Sequence, residues 1–148
     1  IITLANKKNI PTIVDPKKQN FLAYKNCTLF KPNLNEIKDG LKTKIDTNNI
    51  DEISQKTSDL RDMISAKAIL LTLSDKGIFL KTKNDYSLIK STTSNVIDVS
   101  GAGDTFIASF AVYHSITDNI PETIEFANKC SSIVVRVDFR SLDVTFLK

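Results

Sequence analysis

The chain has 148 residues, 41% of them hydrophobic and 25% charged, which suffices for one domain with a core and is too short for two ordinary domains. No apolar run reaches the ~18 residues of a membrane-spanning helix, and the first residues lack the pattern of a signal peptide. The net charge of +3 comes from scattered basic residues, which argues against nucleic-acid binding. We therefore expect a cytoplasmic protein without nucleic-acid or membrane partners.

The first third of the chain predicts helices and short strands in alternation. Residues 1–8 have a helical pattern. Two short runs, Thr12–Val14 and Cys27–Phe30, are rich in β-branched and apolar residues, and each is followed by a proline-containing turn, so both are predicted strands. Asn33 is a suitable N-cap for a helix over Leu34–Leu41, with Glu36 at the third position in the manner of a capping box.

The remaining chain continues this alternation. Ala68–Leu73 is an unbroken apolar run, which predicts a strand buried on both faces. The other predicted elements are a helix over 50–66, an antiparallel strand pair at 78–81 and 86–90, a strand at 96–99, helices over about 102–116 and 121–137, and a strand at 143–147. Strands alternating with helices predict an α/β fold with a mostly parallel sheet.

Two cysteines, Cys27 and Cys130, lie far apart in the sequence. Their spacing matches no metal-ligand pattern, and two thiols do not define a disulfide framework. We predict that both are small buried residues, as free cysteines commonly are.

The segment Asp98–Phe106 carries the main chemical signal. Gly101, Ala102 and Gly103 leave the backbone accessible between a predicted strand and a predicted helix. The unpaired N–H groups and positive dipole of a helix start favour an anion such as a phosphoryl group. Asp104, in the same turn, is placed to accept a proton from a substrate hydroxyl.

From the residues alone, a second interpretation of this segment stays open. It is a glycine turn in which Asp104 helps to cap a helix. The two common nucleotide-binding signatures, G-x-x-x-x-G-K-[ST] and G-x-G-x-x-G, are absent from the sequence.

The run Gly101-Ala102-Gly103-Asp104, with Asp98 and Ser100 before it and Thr105-Phe106 after it, resembles the C-terminal signature of ribokinase-type (PfkB) carbohydrate kinases. The resemblance implies a ribokinase-like three-layer α/β/α fold with a mostly parallel sheet. It also implies that residues 101–104 form the anion hole and that Asp104 is the catalytic base. Ser109 stands where the family more often has Gly or Ala.

Asn33-x-x-Glu36 resembles the family motif that organises Mg²⁺ and phosphates through water. Two oxygen-bearing side chains three residues apart share a helical face, and Mg²⁺ prefers oxygen ligands with several waters retained. Taken alone, the same pair is more simply a helix capping box.

Three further segments resemble nucleotide-contacting parts of the family. Thr72 to Gly77 is similar to a T-x-G-x-x-G segment, although Ser74 replaces the first glycine and leaves the close backbone approach there in question. Asn128 lies in a helix that resembles the lining of the adenine pocket, and a surface position is its simpler interpretation. Lys17 is a candidate for a phosphate contact, and otherwise is a solvated turn lysine.

Asp15-Pro16-Lys17 and the run Thr28–Asn33 are most similar to the branch of the family that phosphorylates heptose 7-phosphate for ADP-heptose and lipopolysaccharide precursors. The resemblance therefore implies an ATP-dependent kinase for a sugar hydroxyl, with ATP and Mg²⁺ as cofactors and a sugar or sugar phosphate as partner. It leaves a homo-oligomer open. We expect residues 1–148 to be the C-terminal, nucleotide-binding portion of one kinase domain, with the sugar-binding half and its lid missing.

Three alternatives remain beside this interpretation. The chain is a nucleotide-binding fragment without catalysis, or a kinase of the same family for another sugar, sugar phosphate or nucleoside. The third alternative is a doubly wound nucleotide-binding domain of another family.

Overall fold

The computed structural model describes residues 1–89, 101–117 and 119–136. These residues form two compact units, residues 1–89 in the first and residues from 101 onward in the second. Two predicted strands, at 96–99 and at 143–147, lie outside the described residues.

The described helices and strands follow the predicted order, with boundaries shifted by a few residues at most. They are α1 (Ile2–Lys7), β1 (Ile13–Val14), β2 (Leu29–Phe30), α2 (Leu34–Leu41), α3 (Ile50–Ile64), β3 (Ala68–Thr72), β4 (Ile78–Lys81), β5 (Tyr86–Ile89), α4 (Ala102–His114) and α5 (Ile120–Arg136). Short 3₁₀ turns cover Lys18–Asn20 and Ser74–Lys76.

The strands of the first unit form one sheet in the order β1-β2-β3-β4-β5. β1 pairs with β2 and β2 with β3 in parallel, whereas β4 is antiparallel to both β3 and β5. Among the described strands, therefore, four run in one direction and β4 alone runs against them. This confirms the predicted α/β fold with a mostly parallel sheet and the predicted antiparallel pair.

The core of the first unit is built on β3. Its residues Ala68–Leu71 are all buried, as an unbroken apolar run predicts for a strand covered on both faces. The helix α3 contributes Ile53, Leu60 and Ile64 to the same core cluster. Each such side chain stabilises the fold by about 1.5–3 kcal/mol through removal of its apolar surface from water.

The two ends of α3 have local causes in the sequence. Asn49 precedes the helix, and its side-chain oxygen accepts a hydrogen bond from the Glu52 amide at 3.1 Å, which satisfies one of the orphan donors of the first turn. At the other end Ser65 adopts a left-handed conformation with φ of 52°. A residue in this conformation terminates a helix and lets the chain turn toward β3.

The second unit contains α4 and α5, which pack against each other. The rings of Tyr113 and Phe126 stack with their centroids 4.5 Å apart. The Tyr113 hydroxyl donates to the Glu122 carboxylate at 2.7 Å, and this hydrogen bond is the first cause that raises the pKa of Tyr113. These contacts link the last turn of α4 to the first two turns of α5.

Two expectations on burial have different outcomes. Cys27 is fully buried, as predicted, whereas Cys130 is half-buried on α5, so the prediction of a buried residue is wrong there. Lys129 and Ile133, one residue before and three residues after Cys130, are exposed, so Cys130 lies beside a solvent-exposed part of α5. Among the helices that the structure describes, none has both the length and the apolar character that crossing a membrane requires.

Candidate functional site

Several predicted site residues lie at one edge of the sheet. Lys17 follows β1, Asn33 follows β2, and Thr72 ends β3. These three strands are parallel, so their carboxyl ends meet at the same edge. In open α/β sheets, ligands bind in the crevice outside the carboxyl ends of the strands.

Asn33 and Glu36 form a complete capping box at the start of α2. The Glu36 amide donates to Asn33 Oδ1 at 2.9 Å, and the Asn33 amide donates to Glu36 Oε2 at 2.7 Å. The sequence-based alternative of a capping box is therefore confirmed. The other carboxylate oxygen, Glu36 Oε1, takes no part in the capping box. Because a carboxylate oxygen can accept more than one hydrogen bond, Glu36 can cap the helix and still bind a second group.

These two side chains fit a water-mediated magnesium site better than a directly ligated one. The described part of the chain contains no group of three or more His, Cys, Asp or Glu side chains that could enclose a metal. Mg²⁺ usually retains several waters and uses one or two carboxylates together with substrate phosphates. Glu36, partly exposed with one oxygen held by the backbone, suits that mode of binding.

Thr72 lies directly beside the start of α2. Its amide donates to the Pro32 carbonyl at 3.1 Å, and Asn33 and Thr72 form an isolated parallel bridge. The predicted metal motif and the predicted nucleotide segment, 39 positions apart by their residue numbers, are thus adjacent in space.

The turn after Thr72 contains two residues with positive φ. Ser74 adopts φ of 55°, in the left-handed region that glycine favours, and it stands where the family more often has glycine. Gly77 has φ of 97° and ψ of −139°, a conformation restricted almost entirely to glycine. The Leu73 amide closes the turn by donating to the Gly77 carbonyl at 2.8 Å.

A cluster of charges lies where β1 and β2 end. Lys31 is buried with 7% of its side chain exposed, and its Nζ lies 2.9 Å from Asp15 Oδ1. Lys17 Nζ lies 3.3 Å from Asp15 Oδ2, with its side chain largely exposed. Two cations therefore share one carboxylate at this edge of the sheet.

Lys17 was a predicted phosphate contact, but its partner Asp15 and the second cation on that carboxylate, Lys31, were not predicted from the sequence. Each follows a predicted strand and stands next to a proline. Asp15 and Lys31 each come directly after the last residue of their strand. A parallel pairing of β1 with β2, assumed from the sequence, would therefore have placed these two side chains next to each other.

In the second unit, Gly101 precedes α4 in a left-handed conformation with φ of 78°. Among the described residues, a Cβ atom built there meets nothing within 4 Å, and the left-handed backbone conformation itself favours glycine at this position. The Thr105 amide donates to the Gly101 carbonyl at 2.9 Å. The amides of Ala102, Gly103 and Asp104 therefore belong to the first turn, where no intrahelical acceptor exists.

Asp104 and Gly103 are exposed in this first turn, and Ala102 is half-buried. An exposed carboxylate beside unpaired amides can accept a proton while the amides bind an anion. Asn128 is half-buried on α5, and its backbone carbonyl accepts from the Ser131 hydroxyl at 3.0 Å.

The structure therefore brings together Asn33, Glu36, Thr72, Ser74 and Gly77 in the first unit, with Lys17 at the same sheet edge. Gly101–Asp104 and Asn128 belong to the second unit.

The mostly parallel sheet, with polar groups at its carboxyl edge, defines the first unit as an α/β fold. In the second unit, the glycine-led start of α4 is a position that favours an anion. The chain belongs to the pfkB family of carbohydrate kinases, whose family pattern matches residues 1–138.

Two curated relatives illustrate this membership. The chain is 34% identical over 137 residues to bifunctional protein HldE of Hydrogenovibrio crunogenus, covering 92% of this chain and 28% of HldE. It is 32% identical over 138 residues to D-beta-D-heptose 7-phosphate kinase of Bordetella bronchiseptica, covering 91% of this chain and 42% of that kinase. The chain thus spans well under half the length of these relatives.

Solved structures show the same fold. Phosphofructokinase-2 from Escherichia coli in complex with potassium superposes with a TM-score of 0.80 at 19% identity, covering 93% of this chain and 45% of that one. Arabidopsis thaliana ribokinase complexed with ribose and ATP gives a TM-score of 0.77 at 24% identity, with the same coverage. The predicted ribokinase-like α/β fold and the resemblance to heptose phosphate kinases are confirmed.

Proposed function

We propose that this protein is an ATP-dependent kinase that transfers the terminal phosphoryl group of ATP to a sugar hydroxyl, with heptose 7-phosphate as the favoured acceptor. One observation carries the proposal: Gly101 enters α4 with positive φ and leaves Asp104 exposed beside the first-turn amides. The family membership and the heptose phosphate kinase relatives support the choice of reaction and acceptor.

In the proposed mechanism the sugar hydroxyl attacks the γ-phosphorus in line with the leaving group. A new oxygen–phosphorus bond forms as the bond to the β-phosphate oxygen breaks, and ADP leaves. The hydroxyl proton passes to the Asp104 carboxylate. The amides of residues 101–104 donate to the phosphoryl oxygens, because charge on these oxygens must be stabilised throughout the transfer.

The first unit contributes the nucleotide side of the proposed site. Thr72, Ser74 and Gly77 form the turn against which the nucleotide would lie, and Lys17 would meet a phosphate. In the second unit, Asn128 is the residue proposed to contact the base. Asn33 and Glu36 would hold Mg²⁺ through water, and the ion would supply positive charge to the phosphates.

The proposal includes the organisation of the domain. The 148 residues act as the nucleotide-binding portion of one kinase domain, and the main sugar contacts come from outside them. Coverage of 42% of the heptose 7-phosphate kinase and of 45% of the ribokinase supports this division.

The test is Asp104→Asn in the complete protein, with ATP, Mg²⁺ and heptose 7-phosphate as substrates. We expect kcat to fall by about 10²–10⁴-fold, the usual contribution of a general base, because asparagine cannot accept the proton. The affinity for a non-hydrolysable ATP analogue, measured by calorimetry, should stay within about threefold of wild type.

Asp51→Asn is the matched control, since Asp51 lies in the first turn of α3 and carries the same charge at a helix start. A kcat near wild type in Asp104→Asn would contradict the assignment of the base. Comparison of kcat/KM for heptose 7-phosphate, ribose and fructose 6-phosphate tests the acceptor, and a preference for either of the last two would contradict the heptose assignment.

A further inference from the structure

Lys76 ties the turn at the end of β3 to a distant part of the first unit. Its Nζ donates to Thr47 Oγ1 at 2.8 Å and to Asn48 Oδ1 at 2.6 Å. Thr47 and Asn48 belong to the connection between α2 and α3. Because the Lys76 ammonium group is positively charged, hydrogen bonds of this kind are shorter and stronger than hydrogen bonds between two neutral groups.

The segment that contains the two acceptors of Lys76, Thr47 and Asn48, is itself held in place by hydrogen bonds. The Asn48 amide donates to Asp46 Oδ1 at 2.9 Å, and the next residue, Asn49, caps α3. The two acceptors of Lys76 are therefore fixed to the start of a helix whose far side is packed in the core.

The turn that Lys76 holds is strained. Ser74 is a non-glycine residue with positive φ, and Gly77 lies in a region that side-chain-bearing residues avoid. Glycine adopts its conformation without steric cost. A non-glycine residue with positive φ, such as Ser74, costs free energy and persists only where the surrounding structure holds it in place. Two backbone hydrogen bonds close the turn from within. The Lys76 amide donates to the Leu73 carbonyl at 3.2 Å, and the Gly77 amide donates to the Ser74 carbonyl at 3.1 Å. The Lys76 side chain adds a contact that fixes the closed turn to the connection before α3.

We propose that Lys76 is a positioning residue for nucleotide binding: by bonding to Thr47 and Asn48 it holds the Ser74–Gly77 turn in the shape that receives the nucleotide. The inference rests on the proposed function. It assigns Lys76 no contact with the nucleotide and no part in the chemical step.

A mutant cycle on the complete protein tests this inference. The variants are Lys76→Met, the pair Thr47→Val with Asn48→Ala, and all three changes together. The readouts are the Kd of a non-hydrolysable ATP analogue with Mg²⁺ and the kcat at saturating ATP. We expect Lys76→Met and the acceptor pair each to raise Kd by about tenfold, and the triple variant to raise it no further, because all remove the same tie.

Other readouts separate positioning from general stability. We expect kcat at saturating ATP to stay within about twofold of wild type, and amide exchange at residues 73–77 to become faster while the melting temperature changes little. Lys76→Arg should restore much of the affinity, because arginine also donates to two acceptors. Lys81→Met is the matched control, since Lys81 is another half-buried lysine of this unit and lies over the Tyr86 ring.

Each alternative outcome is distinct. If Lys76→Met raises Kd while the acceptor pair leaves it unchanged, the lysine contacts the nucleotide and the inference is wrong. If neither raises Kd, it is also wrong. A folded wild-type protein that binds no nucleotide contradicts the proposed function, and the inference with it. If Lys76→Met fails to fold, the acceptor pair and Lys76→Arg decide the question.

Discussion

Gly40, near the end of α2, lies against the ring of Phe21. A Cβ atom at this position would overlap the Phe21 ring atoms. Phe21 is buried and meets Phe30 edge-on, with ring centroids 5.2 Å apart. The absence of a side chain at Gly40 therefore allows an aromatic pair to pack between α2 and the end of β2.

We predict that Gly40→Ala destabilises the protein by up to about 2 kcal/mol. Alanine gains about 1 kcal/mol in helix propensity, but overpacking of a filled core costs about 1–3 kcal/mol, and this overlap is severe. Chemical denaturation followed by circular dichroism measures the difference.

The control is the same substitution in a Phe21→Leu background, where the ring is absent. There Gly40→Ala should be neutral or stabilising. Equal destabilisation in both backgrounds would show that contact with the Phe21 ring is not the cause.

Ser74 and Gly101 show two ways in which positive φ is accommodated at single residues. Both lie at the starts of turns that the proposed function uses. Glycine adopts this conformation at no steric cost, whereas serine requires support from neighbouring contacts. For Ser74 that support includes the hydrogen bonds of the turn and the Lys76 side chain.

Among the secondary-structure elements, α2 combines a structural and a proposed functional use of the same residues. The capping box stabilises the helix start by about 0.5–2 kcal/mol. The same helix start borders Thr72 at the carboxyl edge of the sheet. A substitution of Glu36 that tests the proposed metal role must therefore keep the helix cap intact.

We predict that Glu36→Gln leaves the cap nearly intact and raises the Mg²⁺ concentration for half-maximal activity by about 10–100-fold. The glutamine carbonyl still accepts from the Asn33 amide, but loss of a carboxylate near a metal weakens binding by that factor. Titration of activity with Mg²⁺ provides the measurement.

Glu52→Gln is the matched control, because Glu52 occupies the third position of α3 as Glu36 does in α2. Both variants should lose the same small helix-dipole contribution, about 0.3–1 kcal/mol. An unchanged Mg²⁺ requirement in Glu36→Gln would mean that Glu36 only caps the helix.

At the scale of the whole molecule, Cys27 couples global stability to pH. It lies in the core of the first unit, and burial raises the pKa of its thiol to about 11 from an ordinary value of 9.0. Above the ordinary value the unfolded chain releases this proton while the folded chain keeps it. The raised pKa therefore makes folding less favourable as pH rises between about 9 and about 11.

We predict that the free-energy advantage of wild type over Cys27→Ala is constant below pH 8 and shrinks as pH rises above 9. Denaturation at a series of pH values measures both proteins. Cys130→Ala serves as the control for the second thiol. A constant difference between wild type and Cys27→Ala up to pH 11 would contradict the prediction.

Much of this architecture follows from local patterns. The capping residues of α2, the apolar run of β3 and the alternation of helices with strands depend on neighbours within a few positions, so the sequence predicts them with bounds close to those observed. The glycine motif belongs to the same class, because a left-handed residue before a helix is a local requirement.

The sequence by itself therefore determined the family, the order of the elements and the residues placed at strand ends and helix starts. Only the tertiary structure decided which of these ends are neighbours: Thr72 beside Asn33, Lys31 buried against Asp15, Lys76 bonded to Asn48, and the Phe21 ring against Gly40. The physical reason is that these contacts join residues 16 to 39 positions apart in the numbering. Such contacts depend on strand pairing and core packing, which no local pattern encodes.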